Sequence, residues 1–193
     1  MSSGDLRAFL AVELAPPVRA ELARLSARLV AALPAAGRGV GWASEEGVHL
    51  TLVFLGAVAP AKLEALGARL GPLVRAHPAF SLSTTSPGCF PSPKAARVLW
   101  LGLSWPSRPL AALQAEVAGA CAEEGLGADD HPFHPHLTAG RVKDRGLRAA
   151  AGAGWVALSS VAQPVEVAAV SLMRSQTLSS GPKYTRLERF ELG

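Results

Sequence analysis

Two tripeptides in this chain, His49-Leu50-Thr51 and His136-Leu137-Thr138, each set an imidazole and a hydroxyl two residues apart. On a strand, residues i and i+2 share a face, so each copy presents both groups side by side, roughly 7 Å apart. Histidine gives or takes a proton near neutrality. Threonine offers a neutral donor that stabilises charge on non-bridging phosphate oxygens without competing as a base. Its β-branch holds the hydroxyl in place. Two such strands facing one cleft supply two proton-transfer groups and two fixed donors. That set suits acid–base chemistry on a small anion, with no metal required.

The neighbouring residues sharpen or limit this reading. Arg141 follows His136 by five, and on an unbroken strand it would point to the opposite face. Gly140 allows a bend or bulge that re-aims it, and a guanidinium there would hold a phosphate oxygen. The plain alternative is a solvated arginine at a strand end. His131, His134 and His136 lie within six residues, a density seen in metal sites. Pro132 and Pro135 break any helical face, however, and no Cys or Glu completes a set, so His131 and His134 read as loop residues or supports. No glycine-rich phosphate loop and no serine nucleophile elbow is present. Cys89 has no base partner in the sequence and reads as a packed thiol. Trp42, Phe90 and Tyr184 could stack a base, although core packing is the commoner fate of aromatics.

The motifs need elements to position them. Arg7–Leu14 reads as a buried strand. Pro16 and Pro17 suit a helix start, and Val18, Leu22, Leu25, Leu29 and Leu33 continue it at helical spacing up to Pro34. Residues 37–41 form a loop. Val48–Leu55 is a strand closed by Gly56. Pro60 opens a second amphipathic helix through about Arg75. Phe80–Thr85 is a strand, and the Pro-, Gly- and Ser-rich stretch 86–94 reads as a loop. Arg97–Leu103 is a strand and Pro109–Glu124 a helix. Residues 125–132, with Asp129 and Asp130, form a loop. Phe133–Val142 is the second motif strand. A short helix over 143–154 and strands over 165–174 and 184–192 follow. This order predicts a mixed α+β chain built on antiparallel sheet. The motifs lie 87 residues apart, one near the middle of each half. That placement points to two similar lobes related by a pseudo-twofold, each lending one strand to a shared cleft.

Bulk properties are compatible with this and decide little alone. The 193 residues fit a single domain, 1–193, of two lobes. With 49% hydrophobic and 18% charged residues the chain can bury a core and does not read as disordered. Net charge is +4, carried by 15 arginines against 4 lysines. That bias fits a phosphate-bearing ligand, and equally a GC-rich coding sequence. Cys89 and Cys121 are far apart and in no metal or redox spacing, as in a reducing compartment. The first residues show no basic-then-apolar pattern, and no apolar run nears 18 residues. A cytoplasmic, monomeric protein with no membrane association is expected.

Taken together, these blocks resemble the 2H phosphoesterase superfamily, and within it the RNA 2′,3′-cyclic phosphodiesterases, also called 2′-5′ RNA ligases. Arg7-Ala8-Phe9-Leu10-Ala11-Val12 resembles the family's opening strand. Trp42 followed by His49 to Gly56 resembles its first motif block, and Gly88-Cys89-Phe90-Pro91 with Arg97 to Gly102 its middle. Phe133 to Thr138 with Arg141 resembles the second motif. Leu172-Met173-Arg174-Ser175 and Gly181-Pro182-Lys183-Tyr184 resemble its C-terminal end. Ala139-Gly140 departs from it, the family more often having bulkier apolar residues there.

The resemblance implies a two-lobed α+β fold with the motifs facing across a central cleft. It implies His49 as proton donor, His136 as proton acceptor, Thr51 and Thr138 as holders of the phosphate oxygens, and Arg141 as their assistant. It needs no cofactor and no metal. The expected reaction is hydrolysis of a 2′,3′-cyclic phosphate on an RNA end or nucleotide to a 2′-phosphate, with weak 2′-5′ ligation in reverse. The rivals are another cyclic phosphate or a 2′-5′ oligonucleotide as substrate, a non-catalytic RNA-binding protein, and a metal-dependent hydrolase.

Overall fold

The computed structural model describes residues 4–127, 132–178 and 181–193. Nine strands form one sheet: β1 (Leu6–Glu13), β2 (Val40–Trp42), β3 (His49–Val58), β4 (Phe80–Phe90), β5 (Val98–Leu103), β6 (His136–Val142), β7 (Pro164–Val167), β8 (Ala169–Leu178) and β9 (Gly181–Glu191). Among the described residues five α-helices accompany them: α1 (Pro16–Ala32), α2 (Ala36–Gly39), α3 (Pro60–Arg75), α4 (Arg108–Glu123) and α5 (Arg148–Val156). The strand order is β7-β4-β5-β6-β3-β1-β8-β9, with β2 paired to β6. Every pairing is antiparallel.

The two motif strands, β3 and β6, are neighbours at the centre. Along the path four strands lie on each side of the line between them, and β2 adds a fifth on the β6 side. In each half a strand, a long helix and then the motif strand follow in sequence: β1, α1, β3 and β5, α4, β6. Both halves belong to one sheet and share this strand, helix, motif-strand order.

One face of the sheet is covered by helices: α4 lies against β3, α3 against β8 and β9, and α5 against β4. Alternation assigns the core. Ala8, Leu10 and Val12 of β1 belong to the main apolar cluster, while Phe9 and Ala11 belong to a small one on the other face, with Met173 and Tyr184. A strand with apolar side chains on both faces reads as a continuous apolar run, as β1 does. Trp155 of α5 is fully buried, and its indole N–H donates to the Trp100 carbonyl at 2.8 Å.

Several boundaries differ from expectation. Residues 37–41 hold α2 and the start of β2. Residues 86–90 continue β4, with a register irregularity between Thr84 and Pro87. That irregularity accommodates the proline. The strand expected at 165–174 is two, β7 and β8. The second motif strand starts at His136. Asp129, Asp130 and His131 lie outside the described residues. Among the described residues no helix is long and apolar enough to cross a membrane.

Candidate active site

The site grows from one residue pair. Leu50 of β3 and Leu137 of β6 are Cα partners, and both are fully buried. Because the strands run antiparallel, His49 lies toward Thr138 and Thr51 toward His136. All four are partly exposed on the face opposite the leucines. Residues from distant parts of the chain thus meet as two interlocked His–Thr couples.

Each motif strand then slips its register at the same place. In β3, Leu10 pairs with Val53 and Ala11 with Thr51, passing over Leu52. In β6, Leu99 pairs with Gly140 and Trp100 with Thr138, passing over Ala139. Both bulges sit one residue after the motif threonine. The carbonyl of each bulged residue finds a partner elsewhere: Gln114 donates to Leu52 at 3.4 Å, and the Ala43 N–H to Ala139 at 2.9 Å.

A bulge reverses the alternation downstream. Leu137, Ala139 and Val142 are all buried while Arg141 is exposed, so Arg141 returns to the face of His136 and Thr138. The re-aiming that Gly140 allows is what the strand does. Gly140 itself has no room for a side chain, since a Cβ would meet Val40 Cγ1 at 2.8 Å and Trp42 Cε3 at 2.9 Å. That packing of β2 accounts for the glycine at 140. In the other half the same reversal brings Phe54, which is 56% exposed, onto the face of His49 and Thr51. Phe54 stands five residues after His49, as Arg141 stands five after His136. That parallel was legible in the sequence and carried a residue the motif reading missed.

Both imidazoles are held by the backbone two residues upstream. His136 Nδ1 lies 2.7 Å from the His134 carbonyl oxygen. A carbonyl only accepts, so Nδ1 carries the proton and Nε2 of the neutral ring is left as an acceptor. His49 makes the corresponding backbone hydrogen bond to Gly47. His134 therefore supports the site through its carbonyl.

Aromatic rings close on each histidine. His49 stacks on Phe9 at 4.6 Å and meets the edge of Tyr184 at 5.1 Å. His136 meets Phe90 edge-on at 5.0 Å, and Trp100 lies 6.2 Å away. Phe90 and Tyr184 thus pack on the imidazoles, whereas Trp42 packs against Trp155 at 6.1 Å, behind the site.

Burial shifts both titrations. Desolvation lowers His49 from the usual 6.5 to about 4, the backbone bond to Gly47 opposes this, and His136 adds to it. Desolvation also lowers His136, opposed by the His134 carbonyl and reinforced by His134 and Arg141. Both rings are neutral at pH 7 before an anion arrives. The arrangement is thus a pair of fixed imidazoles, two hydroxyls and one guanidinium, of which Thr51 and His136 line a cavity of about 790 Å³.

Residues 38–177 match the 2′-5′ RNA ligase superfamily. The chain is 32% identical to the RNA 2′,3′-cyclic phosphodiesterase of Methanothermobacter thermautotrophicus, over 97% of this chain and 99% of that one. The chain belongs to the 2′-5′ RNA ligase superfamily. Its Escherichia coli relative of the same name is 30% identical over 96% of each chain. The crystal structure of E. coli LigT complexed with 3′-AMP superposes with a TM-score of 0.77 at 28% identity, covering 97% of this chain and 98% of that one. This superfamily fold is the two-halved antiparallel sheet described above.

Proposed function

We propose that the protein hydrolyses the 2′,3′-cyclic phosphate on an RNA end or nucleotide, leaving a 2′-phosphate and a free 3′-hydroxyl. The observation that supports this is the direct pairing of Leu50 with Leu137, which puts the two His–Thr couples side by side on neighbouring strands. Full-length relatives carrying the name RNA 2′,3′-cyclic phosphodiesterase support the choice of substrate.

In this reading the oxygen of a water attacks phosphorus while the bond from phosphorus to the 3′-oxygen breaks, the two oxygens roughly in line. His136 takes the proton from the water at Nε2, the nitrogen its backbone bond leaves free. His49 gives a proton to the departing 3′-oxygen. Thr51 and Thr138 donate to the non-bridging oxygens, and Arg141 adds positive charge as theirs grows negative. His49 must be charged for its step, and burial opposes that. The substrate's own negative charge reverses the balance, so the acid forms as the phosphate binds. A 5′-hydroxyl in place of water would form a 2′-5′ bond, weakly because water competes. The two buried free cysteines, Cys89 and Cys121, fit a reducing compartment such as the cytoplasm.

Incubation with cytidine 2′,3′-cyclic phosphate tests the reading. The expected product is the 2′-phosphate alone, at a rate unchanged by chelator. The 3′-isomer would reject the assignment of the leaving oxygen. Salt-sensitive RNA binding with no turnover would reveal a binding module instead.

A further inference from the structure

The face that carries His49 continues past it into a second cavity of about 270 Å³, lined by Arg7, Phe9, His49, Phe54, Ser175 and Tyr184 among others. Arg7 pairs across β1 and β8 with Ser175, and Ser175 pairs across β8 and β9 with Tyr184. The three form one row of the sheet, where directly opposed side chains stand about 4.5–5.5 Å apart at Cβ. Arg7 shares the parity of Phe9 and Ala11, so it rises from the same face as the motif residues.

Among the described residues no carboxylate lines this cavity to offset its charge. Other arginines of β9 are engaged: Arg186 with Glu13 at 3.1 Å, and Arg189 with Glu191 at 2.9 Å. Arg7 is in no ion pair among the described residues. A free guanidinium beside a serine hydroxyl, in a cavity that opens on His49, is an anion site one step away from the reacting phosphorus.

The proposed reaction says which anion. If His49 protonates the 3′-oxygen, the nucleoside that owns this oxygen lies on the His49 side. The next charged group of an RNA chain on that nucleoside is the phosphate on its 5′-oxygen. We infer that Arg7, with Ser175, binds the phosphate on the 5′ side of the terminal nucleotide, so that the enzyme selects RNA ends and 5′-phosphorylated nucleotides over nucleosides bearing only the cyclic phosphate. This rests on the cyclic-phosphodiesterase reading and adds a specificity-determining residue to it.

The test compares cytidine 2′,3′-cyclic phosphate, the same compound with a 5′-phosphate, and a dinucleotide ending in the cyclic phosphate. Charge-assisted hydrogen bonds of this kind are worth roughly 1.5–3 kcal/mol, so the wild type should favour the last two by about tenfold or more in kcat/KM. In Arg7→Gln that ratio falls to about one. Arg7→Lys keeps part of it, since lysine supplies charge without the bidentate fork. A wild-type ratio of one, or an undiminished ratio in Arg7→Gln, overturns the inference and leaves the active-site reading standing. A wild type that turns over none of the three overturns both.

Discussion

Leu50 and Leu137, the central residues of the two His-Leu-Thr motifs, are each other's partners across strands β3 and β6. Their fully buried side chains anchor the helix-covered face while the residues on either side of each work on the other. The site is therefore only as well placed as this pair, and its properties follow from the local dyad.

The histidines should act as a unit. His49→Ala and His136→Ala are each expected to lower turnover of cytidine 2′,3′-cyclic phosphate by at least about 10²-fold. The double variant should be little worse than either single one, because removing one partner already disables the proton relay. Steady-state rates, with circular dichroism to establish folding, measure this. Multiplicative losses would mean that the two rings act independently.

The pH profile should be bell-shaped and acidic. In the free enzyme His49 titrates at about 4 and His136 below its ordinary value, so kcat/KM should peak below pH 6.5. Bound phosphate raises His49, so the alkaline limb of kcat should lie at higher pH than that of kcat/KM. Rates recorded from pH 4 to 9 decide it, and activity still climbing through pH 8 would exclude the pairing.

Acid should destabilise the fold through His49. The native ring stays neutral down to about pH 4, while the unfolded chain takes up its proton near 6.5. Stability from this group is full above 6.5 and is lost as pH falls toward 4. At 1.36 kcal/mol per pKa unit, and allowing for water in the cleft, the loss between pH 7 and 4.5 is about 2 kcal/mol. Urea unfolding of the wild type and His49→Asn at both pH values should show that much less acid sensitivity in the variant.

Gly140→Ala should injure both fold and site. Its Cβ would lie 2.8 Å from Val40 Cγ1 and 2.9 Å from Trp42 Cε3, so β2 or the bulge must shift. A destabilisation of about 1–3 kcal/mol is expected, read as a lower Tm. Arg141 should lose its aim, seen as a fall in kcat/KM in the folded variant. A variant with wild-type Tm and kcat/KM would show that the bulge does not depend on this crossing.

The amino-acid sequence alone determined which proton-transfer chemistry to propose and most of the elements. Two imidazoles, each two residues from a threonine, are a local pattern, and so are the leucine spacings of α1, α3 and α4. Local signals failed where cross-strand packing overruled them. The Pro- and Gly-rich stretch 86–90 reads as a loop, yet it extends β4: the Trp100 indole occupies the space a Cβ at Gly88 would need. Arg141 has the wrong parity to join His136 and Thr138 until a bulge reverses it, and register is a property of two strands. Phe54 joins the His49 face through a bulge on β3, and Arg7 lines the cavity beside it from its place opposite Ser175 on β8. Which ring sits on which histidine, and how far burial lowers His49, depend on contacts between residues far apart in the chain, from Trp100 with His136 to Tyr184 with His49. Residue type names the chemistry that is possible; pairing register and burial decide which side chains share a face and which protons they hold.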